Sequence, residues 1–291
     1  MSDKPKILIA GAAGRTGSIA TRMLLERGYP VRAMVRTDDE RAHKLSDLGA
    51  EIFVGDYLDL RSVRRAFEGV KRAYFVYPMQ PGLVEATANY SMAAIEAKAE
   101  FILNISQRTS RPDATSDSAM HHWLAERVFD WAPIPVTHLQ PTAFNEWLTF
   151  MQGMIRQGRY AVPFGPNGRF APISCEDQGA VITEILADPW SHVGKTYRLL
   201  RPVELTPPEI AEIVSKTLGK EVRYEQISGE QWVREVAGQD IPYLSQHVQG
   251  IVPMHEKGLM DGTNDVVEKI TGRRPETVED FVKRHREILG G

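Results

Sequence analysis

A chain of 291 residues, 42% hydrophobic and 25% charged, is long enough for a nucleotide-sized domain and a smaller companion with its own core. A net charge of −3 without a long basic run speaks against nucleic acid as a partner. The single cysteine, Cys175, rules out an intrachain disulfide, and the apolar run Ile7–Ala13 is too short for a secretory core or a membrane span. The expected home is therefore the reducing cytoplasm, with no membrane partner, and the expected state is a monomer or homodimer.

The first half alternates short apolar runs with amphipathic stretches. Strands are expected at Ile7–Ala10, Val31–Val35, Glu51–Val54, Ala73–Val76, Phe101–Ile105 and Pro135–Leu139. Helices are expected between them at Ser18–Arg27, Arg41–Leu48, Leu60–Phe67, Leu83–Lys98 and His121–Trp131, with Gly28, Gly49 and Gly69 as stops. Strand and helix in alternation predict parallel strands joined by right-handed crossovers. The fold class expected is α/β, a Rossmann-type doubly wound parallel sheet with a smaller α+β C-terminal domain.

The second half carries more proline and fewer strand patterns. Asn145–Gln157 reads as one helix with Trp147, Leu148, Met151 and Met154 on its apolar side. Ser174-x-x-Asp177, Thr206-x-x-Glu209 and Ser228-x-x-Gln231 read as helix starts, with Pro207 at a first helical position. Lys195–Leu200 reads as a strand added to the first sheet. The boundaries expected are 1–150 for the nucleotide-binding domain and 151–291 for a mostly helical substrate domain, with segments near 172–200 returning to the first sheet.

The first strand runs into Gly11-Ala12-Ala13-Gly14-Arg15-Thr16-Gly17 and then into a helix. In that context Gly11 serves the tight turn, Gly14 lets the main chain approach a diphosphate, and Gly17 lets helix and strand pack closely. The helix N-terminus adds free N–H donors and positive partial charge. This spacing predicts a dinucleotide site. After the second strand stands Arg36 rather than a carboxylate, and Arg15 lies in the glycine turn. Two guanidiniums suit a 2′-phosphate by charge and fork geometry, so NADP(H) is expected over NAD(H), with Asp38 and Asp39 as opposing charges. Asp56 and Tyr57 are placed to edge the adenine. Tyr77-Pro78 and Ser106 lie at the strand ends where a nicotinamide would project.

These residues resemble the NmrA-like family of atypical short-chain dehydrogenase/reductases. The likeness is carried by the glycine turn, Val35-Arg36, Gly55-Asp56, Leu139-Gln140-Pro141-Thr142-Ala143-Phe144-Asn145, and Pro172-Ile173-x-x-x-Asp177-x-Gly179-x-Val181. It continues through Gly194-Lys195-x-Tyr197 and Leu205-Thr206-x-x-Glu209-Ile210-Ala211 and so covers nearly the whole chain. The resemblance implies cofactor contacts from Gly11, Gly14, Arg15, Thr16, Gly17, Arg36, Asp56 and the Tyr77–Pro78 turn, with Ala13 in the same loop. It implies that Phe144, Asn145 and Trp147 border a substrate cleft. The family includes NADPH-dependent quinone reductases, triphenylmethane dye reductases, and dinucleotide-binding regulators without turnover.

The usual Tyr-x-x-x-Lys pair of short-chain dehydrogenases is absent, since no tyrosine has a lysine four residues on. The family often keeps a lysine four residues before a helical glutamate. Here that glutamate would be Glu126, and His122 stands in the lysine's place. His122 is thus the catalytic candidate. Hydride transfer to an electron-poor quinone or dye needs little acid catalysis, and Phe144, Trp147, Phe150 and Met151 would suit a flat aromatic. No His/Cys cluster has metal-ligand spacing, so no metal is expected. Three readings follow: an NADPH-dependent reductase of a quinone-like aromatic, a redox-sensing regulator that binds NADP(H), and a tailoring oxidoreductase of aromatic natural products.

Overall fold

The computed structural model describes residues 4–291. The described chain runs β1 (Ile7–Ile9), α1 (Arg15–Glu26), β2 (Val31–Val35), α2 (Glu40–Asp47), β3 (Glu51–Val54), α3 (Leu60–Ala66), β4 (Arg72–Phe75), α4 (Leu83–Glu96), β5 (Phe101–Ile105), α5 (Asp117–Trp131) and β6 (Val136–Pro141). It continues through α6 (Trp147–Phe150), α7 (Gln152–Arg156), β7 (Arg159–Val162), α8 (Cys175–Ala187), β8 (Thr196–Leu199), α9 (Pro207–Leu218) and β9 (Arg223–Gln226). It ends with α10 (Gly229–Ala237), α11 (Pro242–Glu256), α12 (Val266–Thr271), α13 (Val278–Arg284) and α14 (Arg286–Leu289). Among the described residues no helix is long and apolar enough to cross a membrane.

Two compact units emerge. The first comprises, among the described residues, 4–112, His121–Gln140 and Gln178–Tyr197. Its sheet has the strand order β3-β2-β1-β4-β5-β6-β8. The β1–β2, β1–β4, β2–β3, β4–β5 and β5–β6 pairings are all parallel, with Ile9 opposite both Ala33 and Tyr74. The order reverses between β1 and β4, and on such sheets ligands bind at the strand ends beside that reversal. Strands buried on both faces read as continuous apolar runs, as Ile7–Ile9 does. One helical layer buries Val63, Phe67, Tyr90 and Phe129 against Leu8, Phe75 and Ile102. On α1, Gly17, Ala20, Thr21 and Leu24 recur at helical spacing and are buried. Gly179 of α8 sits so close to Ile19 that a Cβ there would strike the isoleucine side chain, which accounts for a small residue at that point.

The second unit comprises Asp113–Met120, Pro141–Asp177 and Arg198–Gly291. A two-stranded parallel sheet pairs β7 with β9, Arg159 opposite Arg223 and Val162 opposite Gln226. Its core holds Met151, Tyr160, Phe164, Phe170, Trp232 and Phe281. Thr206 and Glu209 form a reciprocal capping box at α9, with Pro207 in the first turn. Ser228 caps α10 by accepting from the Gln231 N–H. The single helix expected over 145–157 is instead two short ones, α6 and α7, because the backbone leaves helical geometry at Met151 (φ −90°, ψ 14°). There the Met151 Sδ accepts from Trp232 Nε1 at 3.3 Å, and Gly153, the weakest helix former of the stretch, follows at once.

His247 of α11 is buried, with its Nδ1 2.7 Å from Ser116 Oγ, and burial pushes its pKa down to about 4. A histidine that the folded state keeps neutral contributes full stability above its ordinary pKa of 6.5. That contribution is lost as pH falls from there toward the folded value, because only the unfolded chain gains the proton. The expected loss at pH 5 is about 2 kcal/mol. Urea unfolding at pH 7.5 and pH 5 should show it, and His247→Gln should remove most of the difference.

Candidate functional site

The turn after β1 is hooked to both neighbouring strands: the Ala10 N–H donates to Tyr74 O at 3.0 Å and the Ala12 N–H to Met34 O at 3.2 Å. Gly11 adopts φ +58°, and a Cβ there would lie 2.6 Å from Val76 Cγ1 beyond the end of β4. A Cβ on Gly14 would meet Gly11 O at 3.0 Å, and one on Gly17 would overlap the Gly11 main chain. Sterics therefore demand glycine at positions 11 and 17 and leave only a tight fit for a side chain at 14. Gly14 is also the N-cap of α1, with no side-chain cap and no acidic residue in the first turn. By contrast, Asp39 caps α2 and Asp59 caps α3. The start of α1 is left with its N–H donors and positive dipole end available to an anion. Around the turn, Ala13 is half-buried and Arg15 exposed, while Thr16 Oγ1 lies 3.0 Å from the Tyr74 hydroxyl.

Past β2, Arg36 is exposed and makes no hydrogen bond or ion pair among the described residues. The two acids beside it are engaged elsewhere. Asp38 lies 3.2 Å from His43 Nε2. Asp39 accepts from the Arg41 and Ala42 amides and pairs with the Arg41 guanidinium at 2.6 Å, which holds its carboxyl well below the usual range. The exposed Asp56 turns its Oδ1 onto the Leu58 amide at 2.9 Å.

Tyr57 points under the glycine turn rather than outward: its hydroxyl accepts the Gly11 N–H, and its ring packs edge-on to Phe75 and Tyr77. Burial pushes its pKa up to about 12. Tyr77 is buried and donates to Pro81 O at 3.0 Å, fixing the loop that begins at the exposed Pro78. Ser106, at the end of β5, is buried with no partner for its Oγ.

On α5 the half-buried His122 stands one turn before Glu126. Glu126 is buried and accepts from Gln140 Nε2 of β6 at 2.9 Å. Sequence reasoning passed over a polar chain beside it that runs from two buried strand residues to the exposed Asp130. Asn104 Nδ2 lies 3.0 Å from His138 Nδ1, and His138 Nε2 lies 3.0 Å from Asp130 Oδ1. Asn104 and His138 stand opposite one another in the β5–β6 ladder. The available signal was Asn104 inside an otherwise apolar β5 and a histidine in a strand as buried as β6. Burial also raises the pKa values of Tyr90, Tyr160 and Tyr224, the opposite of what a tyrosine acid–base catalyst needs near neutral pH.

In the second unit Phe144, Asn145 and Trp147 line one pocket together with Tyr160, Phe170 and Pro172. Trp147 stacks on Phe164 at 6.0 Å between ring centroids. Met151 lies in the core, fully buried, rather than on the pocket wall. Cys175, the first residue of α8, is buried, and its amide donates to Glu146 Oε1 at 2.9 Å.

Comparison with known proteins places these features in context. The model of the NmrA-like family matches residues 3–282. The chain is 28% identical over 288 residues to an NAD(P)H azoreductase of Xenophilus azovorans, covering 98% of this chain and 99% of the relative. Its fold superposes with a TM-score of 0.83 on an NADPH-dependent quinone oxidoreductase of Escherichia coli solved with NADPH, at 21% identity and covering 96% and 99% of the two chains. It superposes with a TM-score of 0.84 on NmrA, a negative transcriptional regulator solved with NADP, at 18% identity and covering 99% and 97%.

Tyr57→Phe removes the acceptor beneath Gly11 and leaves that amide without its partner. The expected cost is about 1–3 kcal/mol of folding stability. Urea unfolding of the two proteins measures it, and an unchanged midpoint would show that the hydroxyl does not hold the turn.

Proposed function

This chain belongs to the NmrA-like family, and we propose that it is an oxidoreductase that uses NADP(H) to reduce a quinone or a related conjugated aromatic. The observation that carries the reading is the glycine turn over an uncapped α1, with Arg36 exposed and unpaired just beyond β2. Gly11, Ala13, Gly14, Arg15, Thr16 and Gly17 hold the diphosphate, and Arg36 reads the 2′-phosphate by charge. Because Asp38 and Asp39 are committed to His43 and Arg41, they oppose Arg36 less than their positions suggest. Asp56 and the Tyr77–Pro78 turn edge the cofactor, and Tyr57 acts beneath it by holding Gly11. NAD(H) is the lesser cofactor.

Bound, the reduced nicotinamide supplies a hydride; with one proton from solvent the acceptor becomes its two-electron-reduced form, a hydroquinone in the case of a quinone. The chain's own part is to bind a flat acceptor and exclude water. Phe144, Asn145 and Trp147 do this in the second unit. No tyrosine need give up a proton, in keeping with the raised pKa values of the buried tyrosines. His122 is the one side chain proposed to move or hold a proton, one turn from the anchored Glu126. The near-complete match to an azoreductase supports this class of acceptor.

A second reading, an NADP(H)-binding regulator, is favoured by a single observation: His122 stands where the family often has lysine. Incubation with NADPH and a panel of quinones and azo dyes, followed by nicotinamide absorbance, separates the two. Oxidation above background is expected with at least one acceptor, and none with any would leave the regulator. Arg36→Ala should weaken NADPH binding about tenfold to a hundredfold and spare NADH. Calorimetry with both cofactors measures this, and equal losses would show that Arg36 does not read the phosphate.

A further inference from the structure

A groove of about 310 Å³ lies between α1 and α2 and reaches Ala13 of the glycine turn. One stripe of each helix forms it. Ile19 and Arg22 lie one turn apart on α1, and Arg41, Lys44, Leu45 and Leu48 recur at helical spacing on α2. The floor is apolar: Leu45 is buried, Ile19 half-buried, and Leu48 52% exposed beside them. The charged side chains of the wall are Arg22, Arg41 and Lys44, all cations, and among the described residues no carboxylate joins them there. Their acidic partners, Glu26, Asp39 and Glu40, stand outside the wall. In these three ion pairs the cations keep 38%, 67% and 70% of their side chains exposed. Exposed pairs of this kind hold their charges weakly, so another anion can compete for them. Small-molecule sites begin at about 300 Å³ and combine apolar walls with a few converging polar groups. The single sign of charge selects an anion, and the floor selects an apolar body attached to it.

We propose that the α1–α2 groove binds a small aromatic acid, a body of one or two rings carrying one sulfonate or carboxylate. The rings cover Leu45 and Leu48, and the cations of the wall hold the acid group, the two guanidiniums by their forked donors. The groove adjoins the glycine turn but includes neither its Gly11, Gly14 and Gly17 amides nor Arg36, the groups proposed above for NADP(H). Acid and cofactor therefore bind together. No redox step takes part, so the site stands whether or not the protein reduces quinones.

The test is calorimetry with naphthalene-2-sulfonate and its neutral counterpart naphthalene-2-sulfonamide, each without NADP⁺ and with NADP⁺ in excess. The wild type should bind the sulfonate about tenfold tighter than the sulfonamide, equally well with and without NADP⁺, and less tightly as salt is raised. Joint substitution of Arg22→Gln and Lys44→Gln should weaken the sulfonate about tenfold and leave the sulfonamide unchanged. Leu48→Asp, at an exposed position, should weaken both. No binding of the sulfonate, the result expected if the groove takes an acidic segment of another protein, would overturn the proposal. So would equal affinity for the two probes, or substitutions without effect. Loss of sulfonate binding in the presence of NADP⁺ would overturn it too, since the probe would then occupy the cofactor's own phosphate site. If NADP⁺ itself fails to bind, the cofactor reading falls, and the substitutions at Arg22, Lys44 and Leu48 still decide the groove.

Discussion

Gly11 lies so close to the Val76 side chain, and Gly17 so close to the Gly11 main chain, that a side chain on either must displace its neighbour, while Gly14 leaves room for one only as a tight fit against Gly11 O. That steric limit fixes where α1 begins and how tightly it packs on β1. It sits where the strand order reverses between β1 and β4, the position that such sheets leave open for a ligand. The support extends outward by hydrogen bonds: Tyr74 and Met34 carbonyls hold the turn from the flanking strands, and the Tyr57 hydroxyl holds it from below.

Charge follows the same plan. The two helices that succeed α1 in the chain begin with aspartates that satisfy their own first amides, whereas α1 begins with a glycine that satisfies none. Of these three helices, α1 is the one whose start carries no internal anion, which on the proposed reading is where the diphosphate is held. Asp39 spends its charge as a cap and on Arg41, which leaves Arg36 as the exposed guanidinium without an internal partner near that end of the sheet.

The alternation of buried strands and amphipathic helices was readable because each element obeys a local rule. Val31–Val35, Glu51–Val54 and Phe101–Ile105 are apolar runs bounded by turns, and the structure keeps those limits. The capping residues at Thr206 and Ser228 were legible for the same reason, since the partner lies three residues away. What escaped was non-local. β7 and β9 are short, and in sequence they are far apart, so neither carries a pattern that announces the other. Met151, at the break between α6 and α7, meets the indole of the distant Trp232, and the Tyr57 hydroxyl meets a turn elsewhere in the chain. For the candidate site, residue types and the glycine spacing could be read ahead. Which polar atoms end buried without partners, as in Asn145 and Ser106, could not, because that depends on tertiary neighbours.

The placement of Cys175 bears on the proposed chemistry. Quinones are electrophiles as well as oxidants, and an accessible thiolate adds to the ring and stays there. A protein that handles such molecules repeatedly is at risk of arylating itself. Here the sole sulfhydryl is sealed at the head of α8 with about 2% of its surface open, so the chain offers reactive acceptors no accessible thiol. On the proposed reading, the packing removes the most reactive site for that addition from reach of the substrate.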